Sequence, residues 1–191
     1  MPKPNVREQL IDAGLRTLHT QGFNGCAVQD ITVAAGVPKG SFYNHFESKE
    51  ALALAALERF WEGGAERRAL LEDTARDPVE RLRTHFQKLS DAIVRRQFTK
   101  GCLIGNFSAE MASTELINTR LQQMYTDWTR AVSACVQEVH KAGRLHGEAT
   151  AESVASFLVS AWEGAVLRAK VERTSAALDD FHRVVFSCLF S

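Results

Sequence analysis

A short stretch that begins at Pro38 concentrates groups able to grip an anionic polymer. Lys39, Ser41, Tyr43, Asn44 and His45 place donors and acceptors within seven positions. A helix opened by a proline presents amide N–H groups without intrahelical partners and the positive end of its dipole, which suits phosphate oxygens. Gly40 carries no side chain, so the backbone there can approach a groove closely. Phe42 and Phe46, four residues apart, fall on the opposite face and can anchor it in a core. The polar face is then left for a nucleic-acid duplex.

The elements that must hold this stretch are legible upstream. Leu10, Ile11, Gly14, Leu15 and Leu18 repeat with helical spacing, and Gly22 ends that run. A second stripe, Val28, Ile31 and Ala35, is separated from the Pro38 helix by Gly36-Val37-Pro38, a turn. The pattern predicts helix, turn, helix. As a unit, Gly22-Phe23-Asn24-Gly25-Cys26-Ala27-Val28-Gln29-Asp30-Ile31-Thr32-Val33-Ala34-Ala35-Gly36-Val37-Pro38-Lys39-Gly40-Ser41-Phe42-Tyr43-Asn44-His45-Phe46-Glu47-Ser48-Lys49-Glu50-Ala51-Leu52 resembles the DNA-binding head of the tetracycline-repressor (TetR) family, with motif detail over about residues 6 to 52. The resemblance implies a head at 1–47 and a helical body at 48–191 that binds a small molecule and dimerises, the liganded dimer releasing a palindromic operator. It also implies that Lys39, Gly40 and Ser41 meet the major groove or its rim, while Tyr43, His45 and Lys49 contact phosphates. Gln29 and Asn44 are candidates for base readout, because a side-chain amide can pair bidentately with adenine.

Two positions depart from the family pattern. Pro38 and Cys26 stand where Ser and Thr are common, and Cys26 is a poor helix cap. Charge departs from expectation as well. Residues 1 to 50 carry five basic side chains (Lys3, Arg7, Arg16, Lys39, Lys49) and five acidic ones (Glu8, Asp12, Asp30, Glu47, Glu50). A neutral head implies weak non-specific binding, so affinity must lean on two-fold symmetry, helix dipoles and placed donors.

The rest of the chain reads as helix throughout. Ser48 can cap a helix running through Leu52, Ala56 and Arg59 to about Leu71. Asp77-Pro78-Val79-Glu80 is a strong start signal, followed by the stripe Val79, Leu82, Phe86, Leu89, Ile93. A short helix is expected within 101–112, a long one from Ser113 to a left-handed stop at Gly143, and two more opening at Thr150 and Ser175. The prediction is an all-α chain of about nine helices, three in the head and six in the body. Four prolines in 191 residues leave long helices unbroken, and 45% apolar with 24% charged residues is the make-up of a globular protein. Net charge is zero, so charge alone nominates neither nucleic acid nor a membrane.

In the body, Trp61, Phe86, Phe107, Met111, Met124, Trp128 and Trp162 could line an apolar effector pocket or simply form core. The resemblance puts the dimer interface on the last two helices, where Ser160, Ala161, Gly164 and Ala165 form a small-residue patch beside Phe181 and Val185. The patch could equally be a tight packing spot within one subunit. Cys102 lies where a helix begins, with Arg95, Arg96 and Lys100 nearby, a setting that favours thiolate. Its surroundings, Gly101-Cys102-Leu103-Ile104-Gly105-Asn106-Phe107-Ser108-Ala109-Glu110, look like a TetR subgroup that includes regulators of electrophile or oxidant response; an unreactive buried thiol is the alternative.

No phosphate loop, nucleophile elbow or HExxH is present, and His19, His85, His140, His146 and His182 are scattered. No enzyme, cofactor or metal is therefore expected. Cys26, Cys102, Cys135 and Cys188 show no metal-ligand spacing, and no run approaches a membrane span; a cytoplasmic protein is expected. Two rival readings are a DNA-binding regulator with no small-molecule input, and a helical enzyme or carrier with a vestigial head.

Overall fold

The structure, a computed structural model, describes residues 5–190. Among these the fold is all-α: α1 (Val6–Gln21), α2 (Val28–Ala35), α3 (Lys39–Tyr43), α4 (Lys49–Glu62), α5 (Ala65–Ala69), α6 (Pro78–Arg95), α7 (Leu103–Met111), α8 (Glu115–Lys141), α9 (Ala151–Glu172) and α10 (Ala176–Val184). A 3-10 turn (Leu70–Glu72) follows α5 and a π turn (Val185–Leu189) follows α10. Ten helices replace the nine read from sequence because the helix expected to reach Leu71 stops at Glu62. Gly63 and Gly64 interrupt it, two adjacent residues with the highest backbone entropy to lose.

Several starts follow the sequence signals. Ser48 accepts from the Ala51 N–H at 3.1 Å, Asp77 from Val79 at 2.9 Å with Pro78 in the first turn, and Thr150 from Ser153 at 3.2 Å. Gly143 adopts φ +69°, the expected left-handed stop. Ser175 differs: its hydroxyl donates to Asp179 at 2.8 Å instead of capping the helix.

The described residues divide into two compact units, one of 5–63 with 102–121, the other of 64–101 with 122–190. In the first, α1 packs on α2 and α4 around Leu10, Ile11, Leu18, Ile31, Phe42, Leu52 and Ala56. Gly14 makes the α1–α4 approach possible, since a Cβ there would lie 2.9 Å from Leu52 Cδ2. The start of α8 joins this unit through Arg120, whose guanidinium reaches both Glu58 carboxylate oxygens of α4 at 2.5 and 2.8 Å.

In the second unit α6 buries Val79, Leu82, Phe86 and Ile93, with Leu89 half-buried, and α9 packs on α10. Arg81 is fully buried; it donates to the Leu71 carbonyl at 2.9 Å and pairs with Glu138. Beside it, burial pushes the Cys135 thiol up to about 11.

Candidate nucleic-acid interface

The turn between α2 and α3 is built by backbone. Gly36 takes φ +68°, a left-handed cap that sends the Val37 N–H to the Thr32 carbonyl at 3.0 Å. Pro38 follows in extended conformation and α3 starts at Lys39, with the Ser41 N–H bonded back to Pro38 at 2.9 Å. Proline serves here because its fixed φ suits a helix entry, although it provides no side-chain oxygen to cap it.

Phe42 is fully buried and Phe46 nearly so, their rings 5.8 Å apart, which turns the other side of α3 outward. Lys39, Gly40, Tyr43, Asn44 and His45 are exposed and Ser41 is half-buried. Tyr43 keeps 59% of its surface open while its ring edge meets Phe42 at 5.2 Å. Among the described residues no atom beyond its chain neighbours and its own helix backbone lies within 4 Å of a Cβ built on Gly40, and its φ is not in the left-handed region. Neither packing nor backbone conformation within the chain requires glycine there. On α2, Gln29 is exposed.

Lys49 has a role that sequence did not indicate. Its ammonium donates to the carbonyls of Phe23 at 2.9 Å and Cys26 at 2.8 Å and lies 3.9 Å over the Phe23 ring. It braces the α1–α2 turn from the start of α4. Cys26 is buried, its Sγ–H donating to the Ala27 carbonyl, and its thiol is pushed up by burial, then by Asp30, against the opposing pull of Lys49. The cap position of α2 falls to Ala27, whose N–H is taken by Asp30 at 2.8 Å.

The effector-pocket candidates separate. Trp61, Cys102, Phe107 and Met111 belong to the first unit, with Cys102 buried at the cap position of α7; Phe86, Met124, Trp128 and Trp162 belong to the second. In the second unit the indoles of Trp128 and Trp162 meet edge to face at 5.7 Å. Trp128 Nε1–H donates to His85 Nε2 at 2.9 Å, and His85 Nδ1 lies 2.8 Å from the Arg67 carbonyl. A carbonyl only accepts, so Nδ1 carries the proton and the ring is neutral. Burial accordingly lowers the His85 pKa to about 4. Trp162 Nε1–H donates to Ser90 Oγ at 3.1 Å, and Ser90 bonds His182 Nε2 at 3.1 Å. His182 is likewise lowered by burial. Both histidines are hydrogen-bonded within the unit, and among the described residues no group of His, Cys, Asp and Glu is placed to hold a metal.

On α9, Ser160 and Gly164 are exposed, Ala161 is half-buried and Ala165 buried, while Phe181 and Val185 are buried behind them. Among the described residues no atom beyond its chain neighbours and its own helix backbone lies within 4 Å of a Cβ built on Gly164, so nothing described there makes use of its smallness. A groove of about 300 Å³ runs here between Phe157, Ala161, Ala165, Ala177 and Val184. Phe157, Leu167, Val171 and Val184 are 55 to 80% exposed. None of these four is among the residues singled out from sequence, although Phe157, Leu167 and Val171 share one face of α9 with Gly164, at steps of seven, three and four.

Comparison with known proteins agrees with this architecture. Residues 10–66 match the model of bacterial regulatory proteins of the tetR family, and residues 78–185 match the tetracyclin repressor-like C-terminal domain. The HTH-type transcriptional repressor DhaR of Mycobacterium sp. (strain GP1) is 40% identical over 99% of this chain and 94% of its own length. The crystal structure of regulatory protein TetR from Rhodobacter sphaeroides superposes with a TM-score of 0.86 at 32% identity, covering 93% of this chain and 95% of that one. The reduced form of Escherichia coli NemR superposes at 0.83 with 26% identity, covering 98% and 97%.

Proposed function

The chain belongs to the tetR family of bacterial regulatory proteins, and on that premise we propose that it is a ligand-responsive repressor that binds a palindromic operator as a homodimer. The observation that carries the reading is the outward face at α3: Lys39, Tyr43, Asn44 and His45 stand exposed, with Ser41 half-buried, over a Phe42–Phe46 anchor. Residues 1–47 act as the reading head and 48–191 as the effector-binding and dimerising body. Lys39, Gly40 and Ser41 enter the major groove, Gln29 and Asn44 read base edges, and Tyr43 and His45 hold phosphates. Lys49 has a third N–H beyond the two given to Phe23 and Cys26, and this proton is its means of meeting a phosphate.

Two copies join through α9 and α10, where Gly164, Ala161 and Ser160 allow close approach and Phe157 and Val184 supply apolar area. Two α3 helices then fit successive major grooves only near one helical turn, about 34 Å. An effector in the body, lined either by Trp61, Phe107 and Met111 of the first unit or by Phe86, Met124, Trp128 and Trp162 of the second, releases DNA by binding better to a conformation with another head spacing. Cys102 is the point at which an electrophile or oxidant acts. Its thiolate adds to an electron-poor double bond, whose π pair then takes up a proton, or it gives two electrons to a peroxide, becoming a sulfenic acid as the O–O bond breaks and hydroxide leaves. Being only 7% exposed, it reacts through local opening of the α7 start. No helix among the described residues is long and apolar enough to cross a membrane, in keeping with a cytoplasmic site of action.

The test is a footprint of the purified chain on the DNA immediately upstream of its own coding sequence, at low ionic strength and without additives. Protection of a palindrome is expected. Absence of binding to that region refutes the reading, and iodoacetamide labelling of Cys102 no faster than a model thiol refutes its sensing role.

A further inference from the structure

The turn between α1 and α2 is held from two sides. Lys49 takes the Phe23 and Cys26 carbonyls, and from the other side the Glu110 carboxylate of α7 accepts the Asn24 N–H at 2.8 Å. Gly22 opens the room for that carboxylate. Its φ of +78° disfavours any residue with a side chain, and a Cβ there would lie 2.9 Å from Glu110 Oε2 and closer still to Oε1. The same few residues lead directly into α2, whose second residue is Gln29.

We propose that Glu110 is a positioning residue for duplex recognition: seated against Gly22 and bonded to the Asn24 amide, it fixes the α1–α2 turn and with it the start of α2 and the placement of Gln29. The inference rests on operator binding by the head. It also makes α7 part of the reading apparatus, since any displacement of that helix withdraws the carboxylate from the turn.

Electrostatics provides the discriminating experiment. Glu110 is an anion and the duplex a polyanion, so removing its charge alone tightens binding. Positioning predicts the reverse when the hydrogen-bond acceptor is lost. The full-length chain and its Glu110→Ala, Glu110→Gln and Glu110→Asp variants are titrated with a duplex of the DNA immediately upstream of the coding sequence, with helical content from circular dichroism and exchange of the Asn24 amide followed alongside. Glu110→Ala is expected to bind about fivefold more weakly, with faster Asn24 exchange and unchanged helical content. Glu110→Gln, which keeps an oxygen for the amide but no charge, binds at least as tightly as the parent. Glu110→Asp, with its charge intact and its reach one methylene shorter, binds more weakly, and it decides the matter should the alanine variant lose helix. Alanine or aspartate variants that bind as tightly as the parent overturn the proposal, and so does an equal loss in the alanine and glutamine variants. A parent chain that ignores the fragment refutes operator binding itself, and the inference with it.

Discussion

The outward side of α3 and the interior of the second unit use similar side chains to opposite ends. At the end of α3 and just beyond it, Tyr43, Asn44 and His45 are exposed beside an aromatic anchor. In the second unit, His85, Trp128, Ser90, Trp162 and His182 turn their polar atoms toward one another in the interior. A buried donor without a partner costs far more than a made bond gains, so the interior set has to be internally complete. The role proposed for the α3 set requires it to stay open, so that a second molecule can supply its partners. A polar aromatic residue thus belongs to binding or to architecture according to where its hydrogen bonds end.

The largest expected effect breaks the interior set. Replacing His85 with Ala leaves the Trp128 indole N–H and the Arg67 carbonyl without their partner and opens a cavity, a loss of roughly 3 kcal/mol measurable by urea unfolding. A stability loss below about 1 kcal/mol would show that water replaces the imidazole.

Acid should probe the same residue next. A histidine of ordinary pKa 6.5 when unfolded and about 4 when folded binds its proton more readily in the unfolded chain. Its neutral-pH stability is therefore fully present above 6.5 and declines as pH falls from 6.5 toward 4, by about 1.4 kcal/mol per pH unit within that window. Urea midpoints between pH 7 and 4 should fall less steeply in His85→Gln than in the parent. Equal slopes would assign acid sensitivity to other groups.

On the outward face the effects fall on DNA and spare the fold. Tyr43→Ala, which trims a half-exposed ring, should leave thermal stability near the parent's and weaken operator binding by about 1.5 kcal/mol, somewhat over tenfold. A fall in stability with unchanged DNA affinity would reverse the roles assigned to the two regions. Smallest is Gln29→Ala, expected to relax preference at one base position by about 1 kcal/mol in a competition between operator variants. Uniform weakening across all sequences would make Gln29 a backbone contact.

The head was the most legible part of the chain. Its turn, its Pro38 start and the Phe42–Phe46 anchor all follow from local rules, since a glycine in the left-handed region, a proline at a helix entry and a four-residue spacing need only neighbouring sequence. Residues 48–71 carry the periodicity of one helix, but Gly63 and Gly64 end it at Glu62. The partners of Lys49 and Glu110 were out of reach, since Lys49 bonds residues 26 and 23 positions away and Glu110 bonds one 86 positions away.

Local composition and spacing determined the helices, most of their caps and the side of α3 that faces solvent, because each depends on contacts within a turn or two. Only the tertiary structure decided that His85 becomes neutral and buried, which tryptophans are tied to internal partners, and which carboxylate settles against Gly22. Those outcomes depend on which distant segments meet, and the period of a helix specifies the face that is buried without specifying what it is buried against.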